Sequence, residues 1–263
     1  MRRLRRLLQK RSVRWSEGVC VLEGYDLIDA ALDSGAAFEA IYVDEAAIPS
    51  AAVTVLMARA SAASVRVFSL ASGVLEKVAD AKSPQPVLAE VRLPHVALGS
   101  LTVTGLTLIL HDVQDPGNAG TIIRSAAAAG ANAAIFTGSS VDPFNPKALR
   151  ATAGSIFHLP IVVADFDECR RKVKSAGARL FATVVRGGTG LDDVDFAEPC
   201  AVVIGNEATG LSSGVVDQCD GAISIPMTGR SESLNAGVAA SLIAFAAMRQ
   251  RRAAGGGRTG PSL

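Results

Sequence analysis

No stretch of this chain reaches the ~20 consecutive apolar residues that a membrane-crossing helix needs, so no membrane span is expected. The arginine-rich residues 1–15 lack the apolar core of a secretory signal. Cysteine and histidine are few and scattered. Cys20, Cys169, Cys200 and Cys219 show no metal-type pairing, and His95, His111 and His158 do not complete one. Reduced thiols, a cytoplasmic protein and no bound metal are therefore expected. No G-x-G-x-x-G follows the Leu106–Leu110 strand, which leaves an ordinary dinucleotide-binding fold unsupported.

Acid is missing from both ends. Residues 1–14 hold seven basic groups and residues 246–263 hold four, with no carboxylate in either segment. The remaining chain has fifteen bases against 25 acids, so a net charge of +1 conceals basic ends on an acidic middle. Basic ends suit a polyanion, to which they add a salt-dependent, sequence-independent attraction. The alternative for each end is a solvated tail.

What is present is an alternation of apolar strands and helices, which argues α/β architecture. Leu4, Leu7 and Leu8 among arginines suggest a short amphipathic helix. Strands are expected at 18–23, 38–43, 65–68 and 87–91, with helices at 25–34, 50–63 and 69–78. Pro84, Pro86, Pro94 and Gly99 mark the exit from this first domain, placed at residues 1–97, with a linker at 98–104. A second domain follows at 105–252, and residues 253–263 read as a flexible tail. The first domain shows no nucleophile, acid–base pair or metal cluster, which fits binding better than catalysis. Its candidate contacts are Arg11, Arg14 and Lys82.

The second domain is organised by three stretches with one grammar, an apolar strand ending in a loop of glycine, asparagine and small polar residues. They are LTLILHDVQDPGNAGTIIRSAAAAGA from Leu106, AVVIGNEATGLS from Ala201, and ISIPMTGRSESLNAGVAASLIAFA from Ile223. The near-continuous apolar strands predict a mostly parallel sheet covered on both faces. Ligands of open α/β sheets bind at the carboxyl ends of the strands, where these loops lie. Asn118 and Ser233/Asn235 are placed to cap the following helices. The last helix, rich in alanine, is expected to be buried on more than one side.

With Asn118-Ala-Gly120-Thr-Ile-Ile-Arg124, Ile204-Gly205-Asn206-Glu207-Ala-Thr-Gly210-Leu211, and Ile225-Pro226-Met227 followed by Ser233-Leu234-Asn235, the chain resembles the SpoU (TrmH-type) RNA ribose 2′-O-methyltransferases over about residues 104–248. Leu22-Glu23-Gly24 and Gln85-Pro86-Val87-Leu88-Ala89 are similar to the substrate-binding domain of the ribosomal-RNA branch. The resemblance implies a small α/β substrate-binding domain followed by a SPOUT α/β domain whose C-terminal end is tied in a trefoil knot. It implies S-adenosylmethionine as cofactor, ribosomal RNA as substrate and a homodimer through the knotted domain. It assigns the cofactor to Ile204, Gly205, Asn206, Gly210, Ile225, Met227 and Leu234, and catalysis to Arg124, Asn118, Glu207, Ser233 and Asn235, without a metal.

Arg124 among isoleucines and alanines calls for a partner. It can bind the target phosphate, act on the 2′-hydroxyl, or pair with Glu207. A guanidinium holds its proton too firmly to favour literal proton abstraction. Glu207 can pair with Arg124 or face the sulfonium. Asn118, Ser233 and Asn235 can cap helices or hold substrate. The chain departs from the family pattern at Ala236-Gly237, where valine and serine are usual, and a glycine there loosens the helix. A transfer-RNA methyltransferase and a non-catalytic RNA-binding knotted protein remain as alternatives.

Overall fold

The computed structural model describes residues 1–78, 85–229 and 233–254. Along the chain the elements are α1 (Arg2–Gln9), α2 (Arg11–Glu17), β1 (Val19–Glu23), α3 (Tyr25–Asp33), β2 (Phe38–Asp44), α4 (Ala51–Ala62), β3 (Val67–Leu70), β4 (Val87–Arg92), β5 (Leu106–His111), α5 (Pro116–Ala128), β6 (Ala133–Thr137), α6 (Pro146–Thr152), β7 (Ile161–Val163), α7 (Phe166–Ser175), β8 (Arg179–Thr183), β9 (Thr189–Gly190), β10 (Cys200–Ile204), α8 (Ser213–Val216), β11 (Gly221–Ser224) and α9 (Ala236–Ala254). They fold as two compact units.

The first unit joins Met1–Pro94 to Asp142–His158. Its sheet has the order β1-β4-β2-β3, with β4 antiparallel to both neighbours and β2 parallel to β3. The leucine stripe of α1 behaves as its spacing requires: Leu4, Leu7 and Leu8 are buried in a cluster with Val13, Val19, Val21, Leu75 and Leu88. The segment 142–158 lies between β6 and β7 in sequence, yet it completes this unit through two ion pairs. Arg14, 3 % exposed, donates from Nε and Nη2 to Asp142 Oδ2 at 2.7 and 2.6 Å, and from Nη1 to Leu7 O at 2.7 Å. Trp15 Nε1 donates to Asp142 Oδ1 at 3.2 Å. Arg150 Nη1 meets the buried Glu23 Oε2 at 2.5 Å.

Arg14 is thus a structural cation, and its expected role as an RNA contact is corrected by its burial. Arg11 is exposed on α2 and has an interaction within the chain. Lys82 lies outside the described residues. The helix expected at 69–78 is also corrected. Its start is the end of β3, and residues 72–78 form successive turns. Competing acceptors explain the difference. Ser72 N donates to Glu45 Oε1 and Gly73 N to Asp44 Oδ2, and Gly73 takes a left-handed φ of 77°.

The second unit holds a sheet ordered β7-β6-β5-β10-β8-β11-β9, every pair parallel. Leu106, Leu108, Ile109, Leu110 and all of β6 and β10 are buried, which is why these strands read as unbroken apolar runs. Ile109, Ile135, Val162, Val203 and Leu180 pack with Cys169 and Val173 of α7 in one core. Residues 189–190 form a further short strand, β9, paired with β11. The strand order reverses between β5 and β10, and in open α/β sheets a crevice at the carboxyl edge accompanies such a reversal.

Removing one partner of a buried ion pair costs about 3–5 kcal/mol, because the other charge stays behind unpaired. We expect Arg14→Ala to lower the unfolding free energy by that order. Arg14→Met combined with Asp142→Leu should recover most of the loss. Denaturant unfolding checks both, and an unshifted midpoint for the single variant would contradict the assignment.

Candidate active site

The carboxyl ends of β10, β8 and β11 open into a cavity of about 250 Å³. Its wall includes Ile204, Gly205, Asn206, Gly210, Ile225, Met227 and Leu234, all seven positions read from the sequence as a cofactor site, together with Glu207 and Ser233. Aliphatic side chains give this wall its apolar surface. Thr183, Val184 and Val185 at the end of β8 also line it. Sequence reasoning missed them, because the placing of β8 beside β10 is a long-range fact.

The loop after β10 is held tightly. Gly205 is buried, and a Cβ there would stand 2.6 Å from Gly210 C and 2.8 Å from Leu211 N. Backbone cannot yield as a flexible side chain can, so only glycine fits. Asn206 Oδ1 accepts from Ala208 N at 2.9 Å and Thr209 N at 3.1 Å, while Asn206 Nδ2 donates to Asp112 O at 2.9 Å. Asp112 itself holds a left-handed φ of 59°, uncommon for a residue with a side chain.

Asn118 does not cap its helix. Asp115 does so, accepting from Asn118 N at 2.7 Å, with Pro116 in the first turn. The Asp-Pro pair was the sequence signal for this boundary. The side chain of Asn118 is therefore free to join the other two stretches. Its Nδ2 donates to Glu207 Oε1 at 3.0 Å, and its Oδ1 accepts from Asn235 Nδ2 at 2.8 Å. Glu207 also accepts from Gln114 N at 3.1 Å and Asp115 N at 3.0 Å, so a carboxylate sits at the amino end of α5, where the helix favours negative charge. Asn235 Oδ1 accepts from Val238 N at 3.2 Å and caps α9. The helix begins at Ala236, and Ser233 lies exposed on the cavity wall before it.

Burial pushes the Glu207 carboxyl up. The hydrogen bonds from Asn118 and from the backbone of Gln114, Glu207 and Asp115 outweigh it and hold the group below its ordinary value. Burial raises the Cys20 and Cys169 thiols to about 12, so neither is a ready nucleophile.

Arg124 does not pair with Glu207. It is exposed on α5, does not line the cavity, and has no hydrogen-bond or ion-pair partner among the described residues. α9 packs on α5 through small residues. Ser125 Oγ and Ser241 Oγ are 2.6 Å apart, and a Cβ on Gly237 would press Thr121 at 3.1 Å. The departure at Gly237 is thus a close-packing position. Burial of α9 falls on Ala240, Ile243, Ala244 and Ala247. Val238, Leu242 and Phe245 are 46, 42 and 38 % exposed, so one face of α9 is open beside these buried positions.

An open parallel sheet with glycine-bearing loops around a cavity at its carboxyl edge defines a ligand-binding α/β class. The chain belongs to the SpoU rRNA Methylase family, which it matches over residues 105–245. Residues 1–89 match the MRM3-like substrate binding domain. It is 30% identical to the 23S rRNA (guanosine(2553)-2'-O)-methyltransferase RlmP of Bacillus subtilis (strain 168), over 90% of this chain and 92% of that protein. The structure of the SpoU methyltransferase AviRb from Streptomyces viridochromogenes, in complex with the cofactor AdoMet, superposes with a TM-score of 0.84 at 31% identity, covering 95% of this chain and 97% of that one. The TrmH/SpoU tRNA modifying enzyme of A. aeolicus matches with a TM-score of 0.52 at 26% identity, covering 60% of this chain and 81% of that one.

The lowered pKa of Glu207 makes a signed prediction. The stability it contributes is present above the unfolded carboxylate value near ~4.3. That stability is lost as pH falls through the lower folded value. Glu207→Gln cannot titrate, so its stability should fall less steeply on the acid side. Denaturation midpoints across that range test this, and equal acid limbs would refute it.

Proposed function

We propose that this chain transfers the methyl group of S-adenosylmethionine to a ribose 2′-hydroxyl of large-subunit ribosomal RNA. The observation that carries the reading is the side chain of Asn118, which ties Glu207 on the cavity wall to Asn235 at the head of α9. The donor set fits the cofactor. Ile204, Ile225, Met227 and Leu234 offer apolar contact to an adenine, the Gly205–Gly210 loop leaves room for close backbone approach, and the ionised Glu207 offers negative charge to a sulfonium.

The bound cofactor would supply an electrophilic methyl group. A ribose oxygen would take that methyl, leaving the sulfur as a neutral thioether and losing the hydroxyl proton to solvent. The residues of the chain hold the two reactants in register, and such positioning alone can lower a barrier by roughly 7–11 kcal/mol. Ser233, on the cavity wall, orients the ribose, while Asn118 and Asn235 act through position, holding Glu207 and the head of α9 in place. Arg124, exposed and unpaired among the described residues, binds the neighbouring phosphate through its planar fork of donors.

Transfer RNA is the second reading. The tRNA-modifying relative spans only 60% of this chain, whereas the rRNA-directed relative RlmP aligns with 90% of it, and this favours ribosomal RNA. The presence of Arg124, Glu207 and Asn235 together argues against a non-catalytic RNA-binding protein. A cytoplasmic location accords with the reduced cysteines and with the absence, among the described residues, of a helix long and apolar enough to cross a membrane.

The working form is a homodimer in which the partner completes the RNA site. Val238, Leu242 and Phe245 recur at helical spacing on the open face of α9. A groove beside it is lined by Leu191, Ile225, Pro226, Leu242 and Phe245. Light scattering should give a dimer for the wild type and a monomer for Leu242→Glu/Phe245→Glu; a wild-type monomer at micromolar concentration would remove the dimer.

The activity is tested by methyl transfer from labelled S-adenosylmethionine to total RNA, with the 2′-O-methyl ribose mapped. Label in a large ribosomal RNA is expected. Arg124→Ala should lose about 10²-fold in rate, the order expected when a reactant is no longer held in register. Its cofactor affinity should stay unchanged by calorimetry. Label confined to tRNA would move the substrate to the second reading.

A further inference from the structure

The basic residues of segment 1–14 divide into two groups. Some are consumed inside the first unit. Arg3 pairs with Glu17, Glu39 and Glu90, Arg14 with Asp142, and Arg5 donates to Lys77 O. Arg2, Arg6 and Lys10 are exposed and have no partner among the described residues. The pattern follows from helix geometry. Leu4, Leu7 and Leu8 turn inward, and at 100° per residue Arg2 and Arg6 fall on the opposite face. Lys10 follows four residues after Arg6, where α1 ends. The steps between them are about 6 Å along the axis. The first carboxylate in the chain, Glu17, is taken by Arg3, so nothing nearby in sequence neutralises this row.

Folding does not explain such an arrangement, since like charges four apart destabilise a helix. We propose that Arg2, Arg6 and Lys10 form a ridge that grips the phosphate backbone of the substrate RNA. The inference rests on the reading above that RNA is the substrate, and it assigns the grip to α1 instead of the buried Arg14. The charge matches a polyanion, and the ridge lies within the residues that match a substrate-binding domain. Contacts to phosphate position an RNA without reading its sequence, so the ridge adds affinity and register while the cavity selects the reacting ribose.

The test uses the full chain with all three residues changed, Arg2→Gln/Arg6→Gln/Lys10→Gln. Two RNA probes are used, an in-vitro transcript of 23S rRNA and poly(U). Filter binding is measured across a salt series. Each lost phosphate contact should reduce the slope of log K against log salt by roughly 0.7–0.9, so the triple variant should lose about 2–3 on both probes. Its KM for RNA should rise, with kcat at saturating RNA unchanged.

Arg171→Gln/Lys174→Gln/Arg179→Gln removes the same charge elsewhere and should leave the slope nearly as in the wild type. Arg2→Lys/Arg6→Lys keeps the charge and the slope, and guards against a merely misfolded variant. An unchanged slope in the first triple would overturn the ridge, as would equal losses in the two triples. Loss confined to assembled ribosomal subunits, with naked RNA bound normally, would point to a protein contact and also overturn it. If both RNAs bind through the ridge but neither is methylated, the ridge stands and the methyl-transfer reading fails.

Discussion

One primary amide holds the site together. Asn118 donates to Glu207 and accepts from Asn235, so a single side chain fixes the relative positions of loops that lie far apart in sequence. An amide suits this position because it offers a donor and an acceptor on one rigid plane. Aspartate could not donate to the carboxylate, and leucine would leave three polar loops without a common partner. The interaction depends in turn on Asp115. By capping α5, Asp115 releases the Asn118 side chain from the helix end. Glu207 then gains two backbone donors from the same turn, and its ionised state and its position are set together.

The sheet provides what the amide cannot. Parallel strands buried on both faces must be near-uniformly apolar, so their only polar ground is at the ends. Function collects at the carboxyl edge because the loops there are free to carry glycine and asparagine. Gly205 marks the limit of that freedom, with the backbone of Gly210 and Leu211 leaving no room for a methyl group.

Most of this was legible from residues alone, because the signals are local. A strand, a turn and a cap fit within a dozen residues, and the positions read as a cofactor site do lie on one wall. What could not be read depended on partners elsewhere. Thr183 to Val185 join the wall only because β8 lies beside β10. Residues 72–78 begin as turns because Glu45 and Asp44 take the N–H groups of Ser72 and Gly73. Arg14 looked like a surface cation in a basic run, and its carboxylate lies 128 residues away. Gly237 looked like a weakness in α9, whereas it is the point where α9 comes closest to Thr121.

The inserted segment 142–158 also bears on how the chain is made. When a ribosome has released the first 94 residues, the first unit still lacks Asp142 and Arg150, so Arg14 and Glu23 have no counter-charges. The unit is finished only after β5, α5 and β6 of the other unit have been synthesised. The usual order, in which an N-terminal domain folds by itself before the next emerges, would leave the first unit without either ion pair. Completion of the first unit therefore waits on the synthesis of residues 142–158.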